Sequence, residues 1–127
     1  MQTHMKYTIF NRRTELLRVP LAKAMFYEAY GNYCYGVFPN EQKVMLPVSL
    51  AEVERLLPGD ADDGMQHPFL RIGKRYIVNA AMIVQVSLCA QRLVLSDFEH
   101  EGNFALPVSK EALKAVKRLY ETGQLWK

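Results

Sequence analysis

A basic tip in the middle of the chain holds the residues whose types and spacing most clearly suggest a chemistry. It lies in the stretch Phe69–Asn79, FLRIGKRYIVN, where alternating apolar residues on each side of Gly73 predict two strands with one buried face. Glycine permits a turn between them, and Lys74 and Arg75 follow it at once. Strands that hold cations in this way could place positive charge against DNA phosphates or in a DNA groove. The same residues also fit an ordinary solvated hairpin.

The composition is that of a globular protein with a small excess of positive charge. The chain has 127 residues, of which 50% are hydrophobic and 23% are charged, and its formal net charge is +3. This length predicts one domain that buries about two thirds of the unfolded chain's surface. No apolar run approaches the ~20 residues of a membrane-spanning helix, and the N-terminus lacks the apolar core of a signal peptide. We therefore expect a cytoplasmic protein with no membrane partner.

Cations are concentrated in three parts of the sequence. They are Arg12 and Arg13, the segment from Arg71 to Arg75, and the segment from Lys110 to Arg118. A fold that brought these segments to one face would favour a polyanionic partner such as nucleic acid.

Short strands dominate the predicted secondary structure. No helices alternate with the strands as crossovers, so we expect antiparallel pairing rather than a parallel sheet. The count is roughly eight to ten strands and two helices. Beside the two strands of the central stretch, the predicted strands are 6–10, 15–19, 24–29, 33–38, 42–46, 83–88, 92–95 and 104–107.

Capping residues mark the two predicted helices. Ser49 and Glu52 form a capping box in which each side chain could bond the other residue's backbone amide. Ser109 caps the second helix, with Glu111 in its first turn, and Gly123 ends it. Asn79 is expected to cap a turn through residues 80–82. Residues 60–68 read as a polar, acidic loop.

Catalysis and metal binding have little support in the residue types. Cys34 could act as a nucleophile with His67 or His100 as its base, but a lone cysteine in a strand is more often a small buried hydrophobe. The histidines and cysteines show no metal-ligand spacing, and no glycine-rich phosphate loop occurs. We therefore expect no enzyme activity, no metal and no cofactor.

Four motifs, taken in order, resemble the LytTR DNA-binding domain found in many bacterial response regulators. They are FYEAYGNY at 26–33, LPVSL at 46–50, FLRIGKRYIVN at 69–79 and LPVSK at 106–110. The resemblance covers most of the chain, from about residue 15 to about residue 119. We therefore expect one LytTR-like domain over residues 1–127. A receiver domain is not expected, because the LytTR-like region uses nearly the whole chain.

The resemblance implies both a fold and a function. The fold would be mainly β, an elongated antiparallel β-sandwich with short helices. The function would be sequence-specific binding of double-stranded promoter DNA by a transcription regulator, often at direct repeats, with loops that read successive major grooves. The reading loops would be the Asn32-Tyr33-Cys34 turn, the Gly73-Lys74-Arg75 tip and the start of the helix at Ser109-Lys110. The expected DNA-binding residues are Asn32, Tyr33, Cys34, Arg71, Lys74, Arg75, Asn79, Ser109 and Lys110.

The resemblance implies a different role for each of several residues. Cys34 falls at a DNA-contacting position that varies in the family, Lys74 at a base-reading position, and Lys110 where the family usually has arginine. Lysine lacks the bidentate fork of arginine. The family often has histidine where this chain has Gly73 and serine where it has Arg75, so those contacts do not transfer.

Two further expectations concern partners. The chain could pair as a homodimer on DNA. Alternatively, it could be a protein-interaction module on a LytTR-like scaffold, whose sheet edges and aromatic rim bind another regulator or a second copy.

Overall fold

The fold is built from antiparallel strands. The computed structural model describes residues 6–57 and 69–123, and this part of the chain contains ten strands and two α-helices. The mainly β fold class predicted from the sequence is confirmed. The strands are β1 Thr8–Asn11, β2 Leu16–Val19, β3 Phe26–Tyr30, β4 Tyr33–Phe38, β5 Gln42–Leu46, β6 Phe69–Ile72, β7 Tyr76–Asn79, β8 Ile83–Ser87, β9 Arg92–Leu95 and β10 Phe104–Pro107. The helices are α1 Leu50–Leu56 and α2 Lys110–Glu121.

A five-stranded sheet occupies the centre, with the order β5-β4-β3-β7-β6. Its middle strand, β3, joins two hairpins, because Phe26 lies opposite Val37 on β4 and opposite Val78 on β7. Strands β8, β9 and β10 form a separate three-stranded sheet, and β1 pairs with β2 in a hairpin.

Both faces of the five-stranded sheet are buried. One face packs against α1 and the β1–β2 hairpin, in a core that includes Tyr27, Cys34, Leu46, Val53 and Ile77. The other face packs against the three-stranded sheet and α2, in a core that includes Phe26, Val78, Leu95, Leu113 and Val116. The expectation of one buried face for the central stretch was therefore wrong for β7, since all four of its residues are buried. Alternation alone does not reveal a second layer of structure.

The helix caps were predicted correctly, with one exception. Ser49 Oγ accepts a hydrogen bond from the Glu52 amide at 3.2 Å, and Ser109 Oγ accepts one from the Ala112 amide at 3.3 Å. The Glu52 carboxylate, however, pairs with the Arg55 guanidinium one turn further along instead of reaching back to the cap. This ion pair also lowers the pKa of Glu52.

Element boundaries differ from the prediction at the N-terminal end. The β1–β2 ladder begins at Thr8 opposite Val19, and a single 3₁₀ turn, Leu21–Lys23, precedes β3. Asn79 caps the turn Ala80–Met82 as predicted. The acidic loop at 60–68 lies outside the described residues. Within 6–57 and 69–123, no helix is long and apolar enough to cross a membrane.

Candidate nucleic-acid interface

Two of the three predicted reading loops lie at the same end of the central sheet. The β3–β4 turn follows Tyr30, and the β6–β7 turn precedes Tyr76. Because Glu28 of β3 lies opposite Tyr76 of β7, these turns emerge side by side. The Ala29 amide also donates to the Arg75 carbonyl at 2.8 Å, so the hydrogen-bonded contact between β3 and the β6–β7 hairpin continues into the β6–β7 turn.

The contacts of α2 indicate that its start points towards this end as well. The Tyr120 hydroxyl donates to the Ala80 carbonyl at 2.8 Å, so the last turn of α2 is fixed at the opposite end of β7. A 12-residue helix is about 18 Å long, roughly the length of β7 and its tip together. A groove of about 280 Å³ between β6 and α2 runs from Leu70 to Gly73 on one side and from Ala112 to Leu119 on the other. Ser109 and Lys110, which precede these helix residues, are both exposed.

The β6–β7 turn, which we call the tip, is Gly73-Lys74-Arg75. Gly73 has a φ of +61°, a left-handed conformation that glycine adopts without strain. The guanidinium of Arg75 donates to Glu28 Oε2 from both Nε (3.2 Å) and Nη2 (3.0 Å). Lys74 is exposed and has no such partner within the described part of the chain.

Arg71, just before the tip, is also paired. Its Nη1 lies 2.7 Å from Glu54 Oε1 of α1, and its Nε donates to the Gly73 carbonyl at 2.9 Å. These contacts brace the turn from the side of α1. Of the three cations in this stretch, Lys74 is therefore the one that no ion pair holds within the described residues.

The β3–β4 turn presents polar and aromatic groups. Asn32 and Tyr33 are exposed, and 46% of the Tyr33 surface is open to solvent. The neighbouring rings of Tyr30 and Tyr35 contact each other with centroids 5.1 Å apart. This turn offers amide and hydroxyl hydrogen-bonding groups beside the tip.

Two predicted contact residues are buried, and these expectations need correction. Cys34 is fully buried beneath α1, where burial raises the pKa of its thiol to about 11. Asn79 is 2% exposed, donates to the Ala24 carbonyl at 3.1 Å and accepts from the Ala81 amide at 3.0 Å. Both side chains serve the fold. The motif positions alone could not show which way each side chain points.

The β1–β2 turn adds two arginines that the motif comparison had left out. Arg12 and Arg13 line a groove of about 320 Å³ together with Tyr33 and Pro47. The clustering of cations at 12 and 13 was visible in the sequence. Their position beside the β3–β4 turn follows only from the packing of the β1–β2 hairpin on the sheet.

A further group of possible ligands lies in the loop after β9. Donor atoms of Asp97, Glu99 and His100 come within 4.8 Å of one another. The Asp97 carboxylate, however, accepts hydrogen bonds from the amides of Glu99 and His100 and lies 2.7 Å from His100 Nδ1. These bonds lower the pKa of Asp97 to about 2 and account for the cluster as loop closure.

Comparison with known proteins agrees with this architecture. No curated protein sequence matches the chain. A solved structure named the LytTr DNA-binding domain of a methyl-accepting/DNA response regulator from Bacillus cereus matches with a TM-score of 0.60 and 24% identity. The match covers 90% of this chain and 95% of that one, and it shows a shared fold. The family model of the LytTr DNA-binding domain matches residues 14–121. The chain therefore belongs to the LytTR family of DNA-binding domains.

Proposed function

We propose that this protein is a cytoplasmic transcription regulator that binds double-stranded promoter DNA in a sequence-specific manner and reads major grooves with loops. One observation carries the proposal. The exposed side chains of Asn32, Tyr33 and Lys74 lie in two turns at one end of the central sheet. Helix α2 runs from its contact with Ala80 towards the same end, with Ser109 and Lys110 exposed at its start. Loops that project from one end of a rigid sheet can enter a groove together.

Within this site we assign Lys74 and Lys110 to guanine edges or phosphates, because an ammonium group donates to either. Asn32 can read adenine through paired hydrogen bonds. Ser109 lies at the start of α2, where free backbone amides and the helix dipole favour a phosphate. Arg71 and Arg75 hold the tip in place through Glu54 and Glu28.

Direct repeats are the expected target, and a homodimer on DNA is one way to occupy two of them. The site has no catalytic role in this proposal. The Cys34 thiol is buried and burial raises its pKa to about 11, which argues against its use as a nucleophile at neutral pH.

A protein-interaction module is the second candidate, and a separate surface favours it. Ile9 and Leu16, on the outer face of the β1–β2 hairpin, are 57% and 58% exposed. Apolar side chains at these positions could pack against another regulator or a second copy. This candidate predicts association that depends on protein concentration and no DNA binding at low salt.

Selection from random duplex DNA tests the proposal directly. Protein is incubated with a randomised duplex library at low and at near-physiological salt, and bound DNA is recovered and sequenced over several rounds. We expect one enriched sequence that is bound at least about 10³-fold more tightly than random duplex. Recovery of DNA without any enriched sequence would contradict specific reading, and failure to recover DNA at low salt would favour the protein-interaction module.

A further inference from the structure

We propose that the β1–β2 turn is a fourth DNA-contacting loop, in which Arg12 and Arg13 hold backbone phosphates beside the DNA that the β3–β4 turn occupies. The inference rests on the proposed DNA binding and extends its surface to a hairpin outside the three predicted reading loops. The contacts would contribute to affinity and to the position of the protein along the DNA, but not to sequence reading, since phosphates carry no base information.

The turn is fixed beside the first reading loop. Arg12 Nη1 donates to the Pro47 carbonyl at 3.0 Å, and the Arg12 amide bonds the Glu15 carbonyl at 2.8 Å across the turn. Pro47 directly follows β5, whose last residue, Leu46, lies opposite Cys34. The turn therefore meets the sheet where β4 begins, and Tyr33 lines the groove between them.

The chemistry of this groove suits a phosphate. A guanidinium has five N–H donors, so Arg12 keeps four after its bond to Pro47, and their planar arrangement matches a pair of phosphate oxygens. Arg13 is exposed and has no ion-pair partner within 6–57 and 69–123. Tyr33, whose hydroxyl is a further donor, also lines the groove. Glu15 is the single acid among the residues that line the groove.

The position of the turn also favours DNA as the partner. In the sheet order β5-β4-β3-β7-β6, the β1–β2 turn lies near the β5 edge, whereas α2 packs beside β6 at the other edge. Five strands span about 19 Å, which is more than the roughly 12 Å width of a major groove. The β3–β4 and β6–β7 turns, which lie between these two edges, can enter a groove. Cations near the edges of the sheet then lie over the flanking phosphates.

The test compares two charge-matched double variants on the selected duplex and on random duplex. Arg12→Ala with Arg13→Ala removes both cations of the turn. Lys23→Ala with Arg118→Ala removes two exposed cations from the opposite end, where Lys23 precedes Ala24 and Arg118 lies in the last turn of α2. We expect only the first variant to lose affinity, by about 10-fold on both duplexes at low salt. Its slope of log K against log salt should also become less steep by roughly one to two units.

Uncharged phosphate analogues in the DNA test the proposed phosphate contacts without relying on the stability of a protein variant. Methylphosphonate groups replace single phosphates across and beside the selected site. We expect one or two flanking positions at which the replacement weakens wild-type binding but not binding by the double variant. Arg13→Ala and Arg13→Lys repeat the comparison without disturbing the bond to Pro47, and lysine should retain most of the affinity.

The possible outcomes separate this inference from the proposal beneath it. If the wild type binds no duplex, the proposed function fails and this inference fails with it. If the wild type binds its site but both double variants lose affinity equally, or no methylphosphonate position distinguishes the wild type from the Arg12→Ala/Arg13→Ala variant, the β1–β2 turn is not a DNA contact and the proposed function stands.

Discussion

Lys74 differs from the arginines on either side of it because no carboxylate neutralises it within the described residues. Arg71 and Arg75 are held by Glu54 and Glu28. Both ion pairs are partly exposed, so each stabilises the fold by less than about 1 kcal/mol. Their main effect is positional, because they restrict the tip before any ligand arrives. This difference between three neighbouring cations leads to a prediction for one of them.

Replacing Lys74 with alanine should weaken binding to the selected duplex by about 1–3 kcal/mol if the ammonium contacts a base edge. Affinity for random duplex should then change much less. Titration of both duplexes with wild type and variant measures the two losses. Equal losses would show that Lys74 contacts only phosphate, and no loss on either duplex would remove it from the interface.

The two cysteines should react at very different rates. Cys89 is exposed, whereas Cys34 is fully buried and its thiol has a pKa of about 11. A thiol reagent at neutral pH should therefore modify Cys89 quickly in the folded protein, and Cys34 only after unfolding. Mass spectrometry of digested protein identifies the modified residue. Rapid modification of Cys34 in the folded protein would contradict the buried position.

The start and the end of helix α2 have different structural roles. Ser109 satisfies a backbone amide at the end near the tip, and Tyr120 ties the last turn to the residue that follows β7. Separate substitutions can therefore distinguish DNA binding from anchoring of the helix.

Ser109 offers a pair of variants with opposite expected effects. Ser109→Ala removes the cap and should cost about 1 kcal/mol of unfolding free energy. Ser109→Asp keeps a capping oxygen, so stability should be retained, but its negative charge beside a DNA phosphate should lower affinity. Chemical denaturation and DNA titration measure the two quantities. Wild-type affinity in the aspartate variant would place the start of α2 outside the interface.

Tyr120 gives the fold an alkaline pH dependence. Burial raises the pKa of its hydroxyl from 10.0 to about 12. The folded protein therefore holds this proton more tightly than the unfolded chain, and the contribution to stability is lost as the pH rises from about 10 to about 12. Unfolding of wild type and Tyr120→Phe should be measured across this range. The phenylalanine variant should be less stable at neutral pH, and its free energy of unfolding should fall less than that of the wild type between about pH 10 and about pH 12. An equal fall in both proteins would contradict a raised pKa of Tyr120.

The sequence predicted elements and caps better than it predicted the direction of side chains. The central hairpin, the caps at Ser49 and Ser109 and the turn at Asn79 are local features, and they follow from turn chemistry and periodicity. For Cys34, the residue type correctly predicted a small buried hydrophobe, whereas the contact position implied by the resemblance does not agree with its burial beneath α1. The ion pair of Arg75 with Glu28, 47 positions apart, was invisible without strand register.

For the whole molecule, the arrangement of the two cores determines where a ligand can bind. Both faces of the central sheet are covered, by α1 and the β1–β2 hairpin on one side and by the second sheet and α2 on the other. The loops at the ends of the strands remain accessible. The sequence indicated this only through the resemblance to a family, because no local pattern shows which loops share an end.

DNA affinity should depend strongly on salt, because cations of the proposed interface would displace the counterions condensed on DNA. Contacts to three to five phosphates predict a log K against log salt slope of about −3 to −5. Binding of the selected duplex should be measured at several salt concentrations between 50 and 300 mM, roughly the range in which such effects are large. A flat dependence would exclude DNA phosphates as the main partner of this surface.

The ion pairs of Arg71 and Arg75 also bear on how such a domain would find its site in a chromosome. A genome offers about 10⁶–10⁹ competing sites, and every free cation raises affinity for all of them equally. Glu54 and Glu28 offset two positive charges beside Lys74. In the proposed complex, these ion pairs would lower affinity for bulk DNA and would leave any contact of Lys74 with a base edge unchanged. Fewer molecules would then be sequestered on irrelevant sequence, and a small number of copies per cell would be enough to occupy the true site.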